Sequence, residues 1–194
     1  MTPLGHLADV FTGTTFRGRD ATRAVPGGSC RLIQISDLSD EGRLVTEELH
    51  PIEPGEAIKK NRFLRQGDIL FPNRGTRNTA CVFDLPDPRV LVGGQFFVIR
   101  LHAGSVLPAF VAWYLRSEPA SRYFQVRRKG TLVQNLQRSD LAEIEIPLPS
   151  LAKQDAIVAL DALSEEERQL AKALAGKRFE LLQGRLISGA NHST

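Results

Sequence analysis

The distribution of proline divides the chain into two parts of different character. All 11 prolines lie at or before Pro149, whereas residues 151–194 are rich in Ala, Leu, Glu, Lys, Gln and Arg. These residues favour helix, and proline is the residue that interrupts a helix most severely. The sequence therefore predicts one long helix over residues 151–187, followed by a short flexible tail over residues 188–194.

Leucines recur along this predicted helix at the spacing of a heptad seam. With the first leucine at an a position, the a and d positions hold Leu160, Leu163, Leu170, Leu174 and Leu181. Three polar or small residues interrupt the seam, namely Glu167, Lys177 and Gly184. A stripe of this kind either pairs with another helix or packs back on its own domain. We predict that it serves dimerisation and subunit assembly.

Residues 1–150 carry shorter and more varied signals. Brief runs of β-branched and aromatic residues between Gly, Pro and Asn predict strands near 31–35, 69–71, 80–83 and 96–100. Apolar residues at helical spacing predict one helix from Leu107 to Tyr123. The fold class expected is α+β, with a β-rich domain over residues 1–150 that precedes the long helix.

Composition limits the class of protein without identifying it. The net charge is only +3, but 19 of the 25 basic residues are arginine, the side chain best suited to gripping phosphate or a guanine edge. A GC-rich genome would produce the same bias. Two distant cysteines, Cys30 and Cys81, indicate neither a disulfide scaffold nor a metal site. No long apolar run occurs, so we expect a cytoplasmic protein without a membrane partner.

Signatures of nuclease chemistry are incomplete. A common metal-dependent nuclease needs carboxylates for Mg²⁺ and usually a lysine two residues after one of them. Such signatures often begin with a Pro-Asp pair, which Pro86 and Asp87 could imitate. The lysine is missing, because none of the six lysines has Asp or Glu two positions before it. Asp84 and Asp87 are better explained as turn residues.

Signatures of a methyltransferase are also missing. The glycine pair at 27–28 precedes no predicted helix, and Phe71-Pro72-Asn73 has the wrong order for a loop that holds a flipped base. The histidines are not spaced as metal ligands or as a nucleophile's base; they are His6, His50, His102 and His192. We therefore expect no catalytic residue and no bound metal in this chain.

Several segments, read in order, resemble a target-recognition domain of Type I restriction-modification specificity subunits. They begin with the entry segment 4–13, LGHLADVFTG, and continue with IQISDL at 33–38 and FLRQGDILF at 63–71. The pattern is completed by RGT at 74–76, QFF at 95–97, GT at 130–131 with Leu136 and DL at 140–141, and IPLP at 146–149 with Gln154. No segment is specific alone, but together they cover nearly the whole chain.

The resemblance implies a non-catalytic DNA-binding subunit and names its partners. These would be double-stranded DNA and a modification (methyltransferase) subunit, with a restriction or motor subunit as a further partner. S-adenosylmethionine, ATP and Mg²⁺ would be bound by those partners and not by this chain. A full family member carries two recognition domains, each followed by a long helix, whereas this sequence has one of each. We expect a natural half-subunit that acts as a homodimer on an interrupted palindrome; an excised fragment is the alternative.

Three loop segments qualify as DNA-binding elements because they combine arginine with amide or hydroxyl side chains. The candidate residues are Arg17 and Arg19; Arg74, Arg77 and Asn78; and Arg127, Arg128, Lys129, Thr131 and Gln134. We expect the middle group to read bases and the basic residues 127–129 to hold phosphates. Two other functions stay open at this point, a stand-alone DNA-binding regulator or phage-defence accessory, and a small nuclease.

Overall fold

The computed structural model describes residues 1–16, 23–45, 48–55, 57–102, 104, 106–131 and 133–191, with the backbone alone for 188–191. The chain divides into two compact units, Met1–Gln154 and Asp155–Thr194. The first unit is built from short strands with a few helices, and the second is helical. The predicted α+β class, with a long C-terminal helix, is confirmed.

The strands are short, as the brief apolar runs of the sequence predict. They are β1 (Thr2–Pro3), β2 (Ala8–Thr12), β3 (Cys30–Ile33), β4 (His50–Ile52), β5 (Ile69–Pro72), β6 (Cys81–Val82), β7 (Val90–Val92), β8 (Phe96–Leu101) and β9 (Glu145–Ile146). The α-helices are α1 (Leu4–Leu7), α2 (Pro108–Arg116), α3 (Glu118–Gln125), α4 (Arg138–Ala142) and α5 (Leu151–Asn191). The strand predicted near 31–35 ends at Ile33, where a 3₁₀ turn over Ile35–Asp37 follows.

The strands form three sheets. One has the order β2-β8-β5-β6 and is antiparallel throughout. A second has the order β4-β3-β7, in which β3 runs parallel to β7, and the third is the pair β1-β9. Side chains from the two larger sheets share one buried cluster that includes Ile33, Leu70, Val92 and Phe96. Burial of this cluster removes a large apolar area from water and holds the sheets together.

An ion pair ties β8 to the turn that precedes β5. Asp68 is 2% exposed, and its two carboxylate oxygens accept hydrogen bonds from Arg100 Nε at 2.8 Å and Nη2 at 2.6 Å. The same carboxylate accepts the backbone amide of Arg65 at 2.8 Å, and Arg100 also donates to the Phe63 carbonyl at 3.0 Å. The hydrogen bond to Asp68 raises the pKa of Arg100. A buried carboxylate is thus fully paired.

The helix predicted from Leu107 to Tyr123 is two helices. The backbone of Ser117 is extended (φ −67°, ψ 160°) between α2 and α3. Pro119 follows two residues later and would lose its helical hydrogen bond and clash with the preceding turn if one helix continued. The predicted buried face is nevertheless present, since Phe110, Val111 and Leu115 are buried.

The long helix α5 begins at Leu151 as predicted and extends to Asn191, so residues 188–191, predicted as part of a flexible tail, continue it. Residues 192–194 of that tail lie outside the described residues. Near the helix start, Gln154 is 0% exposed; its Oε1 accepts the amide of Leu107 and its Nε2 donates to the carbonyl of Pro149, both at 2.9 Å. Of the described helices, none has the length and apolar character needed to cross a membrane.

Candidate nucleic-acid interface

Five strands bring their connecting loops to one end of the first unit. The register of β2 and β5 on β8 places the last residues of both strands beside the start of β8. The parallel pair β3 and β7 ends level at Ile33 and Val92, and a bridge joins Thr14 to Gly93. The loops after β2, β3, β5 and β7 therefore meet; we name this region the loop end. The Asp68–Arg100 pair lies at the opposite ends of β5 and β8.

A second basic segment joins the loop end from a distant part of the sequence. Bridges pair Asn135 with both Arg74 and Lys129. The amide of Gly75 donates to the carbonyl of Gln134 at 2.8 Å, and the amides of residues 129 and 135 donate to each other's carbonyls at 3.0 and 2.8 Å. The loop 73–78 and the described residues 127–131 and 133–136, which belong to two of the three predicted DNA-binding segments, thus form one continuous surface.

Arg128 connects these two segments through its side chain. Its Nη2 donates to Asn78 Oδ1 at 2.7 Å and to the carbonyl of Arg77 at 3.1 Å, and its Nη1 donates to the carbonyl of Gly75. Burial lowers the pKa of the Arg128 guanidinium. Because its donors are directed into the loop 73–78, Arg128 positions that loop.

Two of the predicted base-reading side chains are also engaged within the domain. Arg77 donates from Nη2 to the carbonyl of Leu38 at 3.1 Å and pairs with Asp40 at 2.7 Å. Asn78 accepts the Arg128 hydrogen bond through Oδ1 and donates from Nδ2 to Ser121 Oγ at 3.1 Å. The internal contacts of Asn78 use both functional groups of its amide, which favours a supporting role over base contact.

Arg127 is held by an aromatic ring. Its guanidinium carbon lies 3.6 Å from the centroid of the Tyr123 ring, and Nη1 donates to the Tyr123 carbonyl at 3.3 Å. The Tyr123 hydroxyl in turn donates to the Asp140 carbonyl at 2.9 Å. Stacking of this type orients a cation while part of it stays open to solvent.

The remaining predicted residues have exposed side chains. Arg74, Lys129, Thr131 and Gln134 show no side-chain hydrogen bond or ion pair to any residue that the structure describes. Arg17 and Arg19, the first predicted group, lie outside the described residues. The structure therefore separates the predicted set into side chains that build the surface and side chains that are available to a ligand.

A cleft of about 400 Å³ opens beside Arg74 at the loop end. Its walls include Thr14, Phe16, Gly93 and Gln95. Gln95 is exposed, and Thr14 Oγ1 is buried with no hydrogen-bond partner among the described residues. Thr14 begins the first loop segment that the sequence indicated as DNA-binding, the one with Arg17 and Arg19. Gln95 was not among the predicted binding residues; the local signal there is the glycine pair that precedes it, which marks a tight turn.

The acidic residues considered for nuclease chemistry do not gather into a site. The carboxylate of Asp87 accepts the amide of Arg89 at 2.8 Å, as expected for a turn residue. Among the described residues no group of three or more His, Cys, Asp or Glu side chains is placed to hold a metal ion.

The five predicted seam leucines of α5 are all exposed in the single chain, between 53% and 68%. Leu163, Leu170 and Leu174 line one shallow groove on the helix surface. A second apolar group, which the heptad analysis missed, comprises Phe179, Leu182, Leu186 and Ile187. At about 100° per residue, Leu182 and Leu186 lie about 120° around the helix from Leu170 and Leu174. Phe179, Leu182 and Leu186 therefore form a second apolar face of the helix.

A β-rich domain with basic and amide side chains gathered at one end, followed by a long helix with exposed apolar faces, is an architecture suited to nucleic-acid recognition and assembly. No family model matches the sequence, and no curated protein matches it. Several solved structures, in contrast, match it.

Three structures of type I restriction-modification proteins share the fold. A chain from a type I R-M system superposes with a TM-score of 0.68 at 22% identity and covers 94% of this chain. The HsdS subunit from Thermoanaerobacter tengcongensis gives 0.62 at 20% identity over 89%. The type I S subunit from M. genitalium gives 0.56 at 19% identity over 91%.

These similarities confirm the resemblance that the motifs indicated: this chain has the fold of type I specificity subunits along nearly its whole length. The chain spans less than half of each matched structure, namely 42%, 38% and 41% of their lengths. It thus corresponds to a part of each matched structure.

Proposed function

We propose that this protein is a half-size specificity subunit that recognises a DNA sequence for a type I restriction-modification system. The observation that carries the proposal is the loop end, where Arg74, Lys129, Thr131 and Gln134 are exposed on a domain with the specificity-subunit fold. Cations on loops supply the sequence-independent attraction to phosphate, while amide and guanidinium groups held in place read base edges. Arg127 and Lys129 would mainly hold phosphates.

The subunit would carry no catalytic group of its own. Double-stranded DNA, a modification subunit and a restriction subunit would be its partners, in the cytoplasm. Those partners would bind S-adenosylmethionine, ATP and Mg²⁺. The role of this chain would be to hold them against a chosen DNA sequence.

Two copies would act together. One recognition domain contacts too few base pairs to select a site among the ~10⁶ or more competing sites of a genome. The seam leucines of α5 would pair with the same stripe of a second copy, as in isologous dimers. A helix of 41 residues is about 60 Å long, so an antiparallel pair would separate the two recognition domains by more than one turn of DNA. The recognised sequence would then be an interrupted palindrome.

Co-purification of the full chain with a candidate modification subunit tests the assignment. The complex should methylate plasmid DNA at one bipartite, palindromic motif, which sequencing of methylated adenines would read out. Sequence-specific DNA binding without any association with a modification subunit would favour a stand-alone regulator instead. Methylation of an asymmetric motif would contradict the paired arrangement.

A further inference from the structure

The cleft at the loop end has the features of a recognition site and not of a packing defect. It lies where the turn between β7 and β8 faces the chain that leaves β2. A Cβ atom built on Gly93 would meet no heavy atom within 4 Å, so this wall opens onto free space. Two hydrogen bonds from Asn73 hold this turn in place. The side-chain Nδ2 donates to the Gly94 carbonyl at 3.0 Å, and the backbone amide donates to the Gln95 carbonyl at 2.9 Å.

Close packing behind the cleft makes its position rigid. A Cβ atom on Gly13 would lie 2.3 Å from the Gly93 carbonyl oxygen and 2.7 Å from that of Val92, so only glycine fits there. The amide of Thr14 donates to the Val92 carbonyl at 2.7 Å. The walls of the cleft are therefore preorganised, which reduces the entropy lost when a ligand binds.

Two side chains at the cleft have hydrogen-bonding groups to spare. Arg74 and Gln95 are exposed, and neither side chain contacts a hydrogen-bond partner among the described residues. The neighbouring Arg77, Asn78 and Arg128, in contrast, already form hydrogen bonds with other residues of the domain. Among the described residues that line the cleft, Arg74 and Gln95 therefore have side chains available to contact bases.

We propose that Arg74 and Gln95, which both line this cleft, are specificity-determining residues of the domain and read adjacent purine edges in duplex DNA. The inference rests on the proposed function and deepens it. A guanidinium presents paired donors that match guanine O6 and N7, and a glutamine amide presents one donor and one acceptor that match adenine N6 and N7. The buried Thr14 hydroxyl supplies a further unpaired group at the cleft wall. Arg128 and Asn78 are positioning residues that hold the loop carrying Arg74.

The chain offers matched controls beyond the opposite end of β5. Arg65 and Gln66 are exposed and precede β5, whereas Arg74 follows it, so they lie at the opposite end of the domain. Substitution to alanine at any of these four exposed positions leaves the buried core intact. Gly93, which lines the cleft, offers a second test, because alanine fits there without contact and leucine would add bulk at the cleft wall.

The test uses the purified full chain and a pool of duplexes with a randomised central segment, sequenced after selection. Wild type should enrich one motif that contains guanine and adenine. R74A should lose its guanine preference and Q95A its adenine preference by about 5- to 150-fold at that single position. R65A and Q66A should select the wild-type motif. G93L should lose both preferences, and G93A neither.

The outcomes separate the inference from the proposed function. If wild type enriches a motif and R74A and Q95A enrich the same motif with equal preference, the base-reading assignment is wrong while the proposed function stands. The base-reading assignment is also wrong if both variants weaken binding equally on all sequences, because that is the behaviour of phosphate contacts. If wild type enriches no motif, both the proposed function and this inference fail.

Discussion

Replacement of Leu170 and Leu174 by aspartate should dissociate the proposed dimer. The two side chains are 64% and 53% exposed in the single chain. Full burial of a leucine stabilises by about 1.5–3 kcal/mol, so each has about 1–2 kcal/mol still to gain in an interface. Two positions in each of two copies then contribute about 4–8 kcal/mol, before the cost of burying carboxylates is added. Since each 1.4 kcal/mol is tenfold, Kd should rise by at least about 1000-fold.

Sedimentation velocity at a concentration of about 10 μM, well above the Kd expected of a functional dimer, would measure the change. Leu182 and Leu186 provide the matched control, because they are exposed to 59% and 68% and have the same spacing along the helix. They lie on the second apolar face of α5, so the Leu182→Asp, Leu186→Asp variant should remain dimeric. Circular dichroism should show unchanged helix content in both variants.

Two results would refute this reasoning. Wild type that sediments as a monomer, alone and with its modification subunit, would remove the paired arrangement. Equal dissociation of the two double variants would show that the seam does not carry the contact. In either case, pairing between two copies of the helix would no longer explain why leucines recur at heptad spacing.

Three further outcomes are expected. Asp68→Asn should destabilise the fold by about 2–4 kcal/mol in a denaturant titration, because it leaves the Arg100 charge without its buried partner. The control Asp87→Asn, in an exposed turn, should change stability little. Equal effects of the two substitutions would contradict the ion-pair argument. Burial raises the pKa of Cys81 from 9.0 to about 11. Its thiol should therefore react with a maleimide at pH 8 only when the chain unfolds. The free energy of unfolding should also fall as the pH rises from 9 to 11, because the thiol ionises at a lower pH in the unfolded chain than in the folded one. Purified protein with Mg²⁺, ATP and S-adenosylmethionine should neither cut nor methylate plasmid DNA; cleavage that disappears in Asp87→Asn would overturn this.

Local patterns in the sequence predicted most of the architecture. The start of α5 follows from the composition change after Pro149, and the strands β5 and β8 follow from short apolar runs bounded by turn residues. The same local reasoning missed the break at Ser117, because the apolar spacing of residues 107–123 continues across Pro119 while the backbone cannot. It also missed the second apolar face of α5, which lies outside the heptad seam.

The sequence by itself thus determined the fold class, the long C-terminal helix with its leucine stripe and the basic segments that meet at the loop end, because these depend on residue type and spacing within a window of a few turns. Only the tertiary structure decided which basic residues are available to a ligand. The partners of Arg77 and Arg128 lie 39 and 50 residues away along the chain, so no local pattern reveals that those side chains are engaged. The cleft between Thr14, Arg74 and Gln95 has the same origin, since folding alone brings the ends of distant strands to one place.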